Sequence, residues 1–425
     1  MKPNELIELL KGGALKKYSK MYSDVEAQTK RYIKAINEFC EIYGDGRDIE
    51  LFSVPGRSEI SGNHTDHNHG CVLAGAIDRD IIAVAAKSSE NVVRVRSEGY
   101  AEDRIDLALA DNSANFKQHC SRALVAGICG GFIKEGYKVG GFDAYTTTHV
   151  LKGSGLSSSA AFEVMVGNMM NHFYNGSTIP NEEIAKIAQY SENEYFGKPC
   201  GLMDQMACAV GGFVFIDFAD PKNPVVKPIK FSLSDAGYSL CIVNTKGNHS
   251  DLTPDYAAVP AEMKSVAAYF GREVLRGVTE EQIVGNIPVL RKALSDRAIL
   301  RALHYVREND RVARQAEYLT AGDVKGFLAE VINSGNSSYR YLQNVYSPAK
   351  PQEQGLSLAL CLTEGALGGR ECAWRVHGGG FAGTIQTFVL HEYASQYAEL
   401  MNSVFGDDAS MMMSIRAEGA IKLEL

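Results

Sequence analysis

The sequence predicts an α+β fold built in more than one domain. Strand-like and helix-like runs follow one another without strict alternation, which argues against a doubly wound parallel sheet. The chain has 425 residues, enough for two or three domains. Hydrophobic residues make up 45% and charged residues 22%, the ordinary balance of a globular protein with a sizeable core.

Taken in order, the N-terminal segment reads as helices. In "DVEAQTKRYIKAINEFCEIYG", Val25, Tyr32, Ile33, Ile36 and Phe39 recur at near-helical spacing, and Gly44 follows as a stop. "DIELFSVPGR" reads as a strand that ends at Pro55-Gly56. "CVLAGAIDRDIIAVAAK", "NVVRVRSEGY" and "FDAYTTTHV" are further strand candidates. The last leads into a strong helix, in which Phe162, Met165, Val166, Met169 and Phe173 line one face. "PNEEIAKIAQYSENEYFG" is a helix with Pro180 and Asn181 at its start. "GGFVFIDF" and "YSLCIVNT" are strands, and the stretch from about Pro260 to Gly335 is mostly helical. Near the end, "RECAWRVHGGGFAGTIQTFVL" joins two β-like runs through a glycine cluster. A domain boundary is expected near 210–220, drawn as 1–215 and 216–425, with no linker composition to mark it.

Charge and cysteine usage narrow the function. The net charge is −8, so no broad basic surface for nucleic acid is expected, and an anionic substrate has to be held by local features. Nine cysteines, an odd number, occur without any C-x-x-C, which fits neither a disulfide framework nor a zinc ribbon and points to the reducing cytoplasm. No signal peptide and no membrane span are expected, because no apolar run is long enough.

Three stretches carry chemistry. "GSGLSSSAA" (Gly153 to Ala161) joins a strand to a helix. Small residues let the backbone approach a ligand, and the free amides and dipole at a helix start favour anions. The serines add hydroxyl donors and a possible Mg²⁺ ligand. No G-K-[ST] follows, so this is not a Walker A loop. On this stretch alone, a plain Ser-rich helix cap fits as well. "HGGGFAG" (His377 to Gly383) is either a hairpin turn with bulges or a backbone wall close to a ligand. "GRSEISGNHTDHNHG" (Gly56 to Gly70) admits a metal site, a solvated loop or a grip on a hydroxyl-rich ligand. The spacing H-x-x-H-x-H is not a familiar zinc pattern. An aspartate that accepts two hydroxyls, with histidine beside it, suits a sugar.

Together, an early P-G-R…G-x-H-T-D-x-N-x-G, a middle G-x-G-L-S-S-S-A and a late G-G-G-F-x-G resemble the GHMP family of small-molecule kinases, and within it the galactokinases. "FGKPCGLMDQM" and "VNTKGNHSDLTPDY" agree. The resemblance implies a two-domain α+β GHMP kinase fold with the active site in the interdomain cleft. It implies transfer of a phosphoryl group from ATP, with Mg²⁺, to the anomeric hydroxyl of a sugar, galactose by default. Matched residue by residue, it puts the catalytic carboxylate at Asp204, with Arg57 beside it. It puts the sugar at Asn63, His64, Asp66 and Tyr256. It puts ATP at Gly153, Ser154, Gly155, Leu156, Ser157, Ser158, Ser159 and Ala160, and Mg²⁺ at Ser159 and Glu192. Partners are expected to be the sugar and ATP alone, with neither nucleic acid nor membrane, on a monomer.

The match departs from the family form G-R-V-N-L-I-G-E-H-T-D-Y-N-x-G at several positions. Ser58 and Glu59 replace Val and Asn, Ser61 replaces Ile, Asn63 replaces Glu, and His67 replaces Tyr. With an amide at 63 in place of a carboxylate, relaxed discrimination at the sugar's C6 is expected, including tolerance of 6-deoxygalactose and galacturonate. N-acetylgalactosamine, arabinose and a sugar- and ATP-binding sensor without turnover remain as further alternatives.

Overall fold

The computed structural model describes residues 1–150, 155–247 and 252–425. Its strands are β1 (Glu50–Ser61), β2 (Cys71–Lys87), β3 (Val92–Ser97), β4 (Glu102–Asp106), β5 (Phe142–Thr148), β6 (Phe213–Asp217), β7 (Val225–Ile229), β8 (Tyr238–Asn244), β9 (Ala373–Val376), β10 (Thr384–Leu390), β11 (Ser410–Met413) and β12 (Ile421–Lys422). Helices and strands are mixed without strict alternation, as the sequence predicts.

The chain divides into two compact units. The first comprises Met1–Ser58, Ala76–Gly212 and Arg416–Leu425, and the second Glu59–Gly75 and Phe213–Ile415. The chain passes from the first unit into the second after Gly212. Two short segments differ from a simple division into halves: 59–75 belongs to the second unit, and 416–425 returns to the first. Strand pairing is the physical reason. β12 pairs with β1 at Phe52 and Ser53, whereas β6 pairs with Cys71–Gly75. Composition carries no trace of such returns.

In the first unit the strand order is β12-β1-β2-β5-β3-β4. The helix Val25–Tyr43, capped by the Asp24 side chain and stopped at Gly44, buries Tyr32, Ile36 and Phe39 against Ile82, Val84 and Tyr145. The helices Ser121–Lys134, Ser158–Asn175, Asn181–Tyr190 and Met203–Val210 pack on one another. Met165, Val166 and Met169 are fully buried, as their spacing predicts. β1 does not end at Pro55-Gly56 but runs on to Ser61. Gly56 serves a close approach and not a turn, since a Cβ there would lie 2.8 Å from the Leu156 carbonyl oxygen and 2.9 Å from Val150.

In the second unit the strand order is β11-β8-β10-β9, all antiparallel. The helices Gly355–Leu367 and His391–Phe405 bury Leu356, Ala359, Tyr397 and Met401 against Cys241, Val243 and Ile385 of that sheet. The helices Thr253–Tyr269, Glu280–Ala293 and Asp296–Ala321 form a further core around Val259, Met263, Ile283, Leu290 and Ile299.

Candidate active site

Each unit gathers one group of the residues singled out in the sequence. In the first unit, Gly155 and Leu156 lead to Ser157, which stands in the left-handed region at φ 60°. The helix then starts at Ser158, with Ser159 and Ala160 in its first turn and no side-chain cap among the described residues. Its first amides are therefore not spent on a cap, and they sit at the positive end of an 18-residue dipole. Gly153 and Ser154 lie outside the described residues, as do 248–251 of the "VNTKGNHSDLTPDY" stretch.

Arg57, near the end of β1, ties this loop to Asp204. Its backbone N–H donates to the Leu156 carbonyl at 3.1 Å. Its Nη1 donates to the Gly155 carbonyl at 2.5 Å, and its Nε to Asp204 Oδ1 at 2.8 Å. The other oxygen, Oδ2, accepts the Ser157 hydroxyl at 2.5 Å. Asp204 lies in the first turn of the helix Met203–Val210, where the macrodipole also favours its charge. The carboxylate is thus oriented from two sides and keeps 34% side-chain exposure, enough to meet a substrate. The contact of Ser157 with Asp204 was not expected; Ser157 was assigned to ATP alone.

Glu192 lies in a π-helical turn, Ser191–Phe196, that prolongs the helix Asn181–Tyr190. It is only 3% exposed. Its Oε1 meets Lys198 Nζ at 2.9 Å, and its Oε2 accepts Gln205 Nε2 at 2.9 Å. Gln205, next in sequence to Asp204, also donates to Glu163 at 3.2 Å. Burial, then the charge of Glu192, pushes the Glu163 carboxyl well above the usual carboxylate range. Its Oε1 is buried without a hydrogen-bond partner. The donors at Ser159 and Glu192, a hydroxyl and a carboxylate, are oxygen atoms of the kind a hard divalent cation takes. Among the described residues, no group of three or more His, Cys, Asp or Glu converges as a metal set.

In the second unit, Gly62 turns the chain at φ 98°; a Cβ there would lie 2.6 Å from the Cys71 carbonyl oxygen, so only glycine fits. His64 follows in the left-handed region, and its Nε2 meets the Gly379 carbonyl at 2.9 Å. Tyr256 donates to the Gly380 carbonyl at 2.8 Å. Asp66 is half-exposed and accepts the His67 N–H at 2.9 Å. Burial, then the neighbouring His64, holds His67 down at about 3, so its ring is neutral. The glycine cluster between β9 and β10 is therefore a wall of carbonyls facing the expected sugar residues. A Cβ at Gly379 would lie 2.8 Å from the Tyr256 ring.

Asn63 differs from its neighbours because it is fully buried. Its Nδ2 donates to Glu59 Oε1 at 3.0 Å and to the Gly378 carbonyl, and its Oδ1 accepts Asn344 Nδ2 at 2.6 Å. Protein groups occupy the amide that the sequence reading assigned to sugar.

One helix, Asp296–Ala321, holds this loop in shape. His304 Nε2 lies 3.0 Å from the Asn63 carbonyl, so Nε2 carries the proton and Nδ1 accepts the Ser337 hydroxyl at 2.9 Å. Glu308 accepts the Ser61 hydroxyl at 3.0 Å and the Gly62 N–H at 3.2 Å, and it pairs with Arg311. Tyr305 donates to the Asn68 carbonyl at 2.8 Å, and Asn309 accepts the Cys71 N–H at 2.6 Å. Sequence reasoning missed all four. A helical i, i+1, i+4, i+5 pattern of polar side chains was the available signal.

A family model described as GHMP kinases N terminal domain matches residues 123–212. A second, described as the galactokinase galactose-binding signature, matches residues 37–87. The galactokinase of Streptomyces coelicolor is 30% identical over 349 residues, which is 81% of this chain and 86% of that one. The galactokinase of Actinobacillus pleuropneumoniae serotype 5b is 31% identical over 360 residues, 84% of this chain and 88% of that one. The crystal structure of Lactococcus lactis galactokinase complexed with galactose superposes with a TM-score of 0.74 at 23% identity, covering 91% of this chain and 98% of that one. Methanococcus jannaschii mevalonate kinase superposes with a TM-score of 0.60 at 14% identity, over 87% of this chain and 98% of its own.

Proposed function

We propose, from the premise that this chain belongs to the galactokinase family of GHMP kinases and is an ATP-dependent sugar kinase, that it makes galactose 1-phosphate from D-galactose and ATP. The observation that carries the reading is Asp204, held by Arg57 and Ser157 beside the phosphate loop.

Phosphoryl transfer depends on positioning and charge more than on covalent chemistry. The residues from Gly153 to Ala160 bind the ATP phosphates through small residues and unspent helix amides. Ser159 and Glu192 would hold Mg²⁺, whose chemistry is to neutralise charge on the transferring phosphoryl group. Asp204 accepts a hydrogen bond from the anomeric hydroxyl and orients it for attack. Arg57 fixes the carboxylate; as the new P–O bond forms, the bond from the γ-phosphorus to the bridging oxygen breaks, ADP departs, and the hydroxyl proton passes to the Asp204 carboxylate and on to solvent. His64, Asp66 and Tyr256 bind the sugar's other hydroxyls.

The reading includes work in the cytoplasm by a monomer. All nine cysteines are free, which suits a reducing compartment, and among the described residues no helix is long and apolar enough to cross a membrane. Light scattering tests the monomer.

An ADP-release assay across hexoses, uronates, hexosamines and pentoses tests the activity. Phosphorus NMR of the product then locates the phosphate. Turnover on galactose with phosphate at the anomeric oxygen supports the reading. Sugar binding without ADP release would favour the sensor instead.

A further inference from the structure

We propose that Glu59, and not Asn63, is the residue on β1 that reads a sugar hydroxyl, and that its charge selects neutral sugars over uronates. The inference rests on the reading of the chain as a galactose kinase.

The Asn63 amide has nothing left to offer. Both hydrogens go to Glu59 and the Gly378 carbonyl, its oxygen takes Asn344, and the residue is fully buried. Glu59 stands the other way. Its side chain keeps 13% exposure. Oε1 accepts the Asn63 amide at 3.0 Å, and no other described residue donates a hydrogen bond to Oε2. On β1 the partly exposed positions near the end of the strand are 57 and 59, which alternate onto one side. Asn63 joins Glu59 to the Gly378 carbonyl, and the next two carbonyls in sequence, of Gly379 and Gly380, meet His64 and Tyr256.

Arg375 stands beside Glu59. Its side chain is wholly buried, its Nη1 donates to the Ile60 carbonyl at 3.0 Å, and its Nη2 lies 3.8 Å from Glu59 Oε1. Nε and Nη2 make no hydrogen bond among the described residues, so the ion pair with Glu59 is the interaction that Nη2 has. Residues 59 and 63 therefore carry one carboxylate and one amide joined by a hydrogen bond, in the reverse order to the family form N…E. The negative charge that Asn63 removes is present four positions earlier. A carboxylate with one open oxygen accepts a hydroxyl in a charge-assisted bond and repels a second carboxylate. The relaxed selectivity expected from Asn63 alone is thereby reversed.

The test titrates galactose, its 2-, 3-, 4- and 6-deoxy forms and galacturonate into wild type and Glu59→Gln, with Mg²⁺ and a non-hydrolysable ATP analogue present. Glu59→Gln should weaken galactose binding about 10- to 100-fold, the worth of a hydrogen bond to a charged group. That loss should vanish for one deoxy sugar, the one lacking the contacted hydroxyl. Galacturonate should bind wild type poorly and gain relative to galactose in the variant. The exchange Glu59→Asn with Asn63→Glu keeps the charge beside Arg375 and should recover galactose binding to within about threefold. Unchanged galactose affinity in Glu59→Gln would overturn the proposal, as would an equal loss for every deoxy sugar, which marks a structural role. A wild type that neither binds nor phosphorylates galactose would overturn the galactose reading and this inference with it.

Discussion

Arg57 places two guanidinium nitrogens, Nε and Nη2, on a single oxygen of Asp204, at 2.8 and 2.7 Å. The opposite oxygen is left to the Ser157 hydroxyl and to whatever substrate approaches it. Orientation of the carboxylate is thus built from β1 and from the Gly155–Ser157 loop together.

Asp204→Ala should lower kcat by about 10³-fold or more while ATP still binds, since the loop amides do not depend on that side chain. Asp204→Asn keeps the shape and removes the charge, and it should be nearly as slow. Single-turnover rates and nucleotide titration separate the two effects. A near wild-type rate in Asp204→Asn would exclude both proton transfer and charge stabilisation by this residue.

Ser157 combines a left-handed backbone with a hydroxyl on Asp204. Ser157→Gly relieves the backbone and deletes the hydrogen bond, whereas Ser157→Ala deletes the bond and keeps the strain. Both variants should lose about tenfold or more in kcat, the worth of a hydrogen bond to a charged group. Only the glycine variant should hold its melting temperature. A full rate in Ser157→Gly would show that the hydroxyl does not position Asp204.

The proposed Mg²⁺ site at Ser159 and Glu192 predicts metal dependence. Chelation of divalent ions should abolish turnover, and Mg²⁺ alone should restore it. Glu192→Gln should raise the Mg²⁺ concentration for half-maximal rate by about tenfold or more, read from a Mg²⁺ titration at saturating ATP. Stoichiometric zinc in the purified protein, lost when His64, His67 and His69 are all replaced, would contradict this assignment.

Acid should loosen the loop around Asn63 in two steps. Burial holds His304 down at about 4, and the unfolded chain binds that proton near 6.5. Its contribution is therefore complete above 6.5 and is lost as pH falls toward 4, by about 3 kcal/mol at most. Burial alone would raise Glu308, but the charge of Arg311, then of His304 and Arg375, outweighs it and holds Glu308 at about 2. Its contribution disappears between about 4.5 and 2. Melting temperatures from pH 8 to 4 should fall below 6.5 in wild type. In His304→Gln, which keeps a donor toward Asn63, the fall should be shallower. Parallel curves for the two proteins would exclude His304 as the titrating group.

The sequence by itself determined what depends on neighbouring residues. Helix spacing in Val25–Tyr43 and strand patterning in β2, β5 and β8 are local, and so are the small residues that open the helix at Ser158. The order of P-G-R, G-x-G-L-S-S-S-A, G-L-M-D-Q and G-G-G-F-x-G carried the family, because phosphate binding and close backbone approach demand particular residue types at fixed short spacings. The tertiary structure alone decided which polar atoms were already spent. Asn63 looked like a free amide beside His64, yet its partners Asn344 and Gly378 lie 281 and 315 positions away. Glu59 meets a buried arginine on β9, and Gly56 is fixed by the approach of Leu156. A hydrogen bond between distant segments leaves no periodicity and no composition in either one. The chemistry available at a position was written locally, and the availability of each atom for a ligand was settled only when the chain had folded around it.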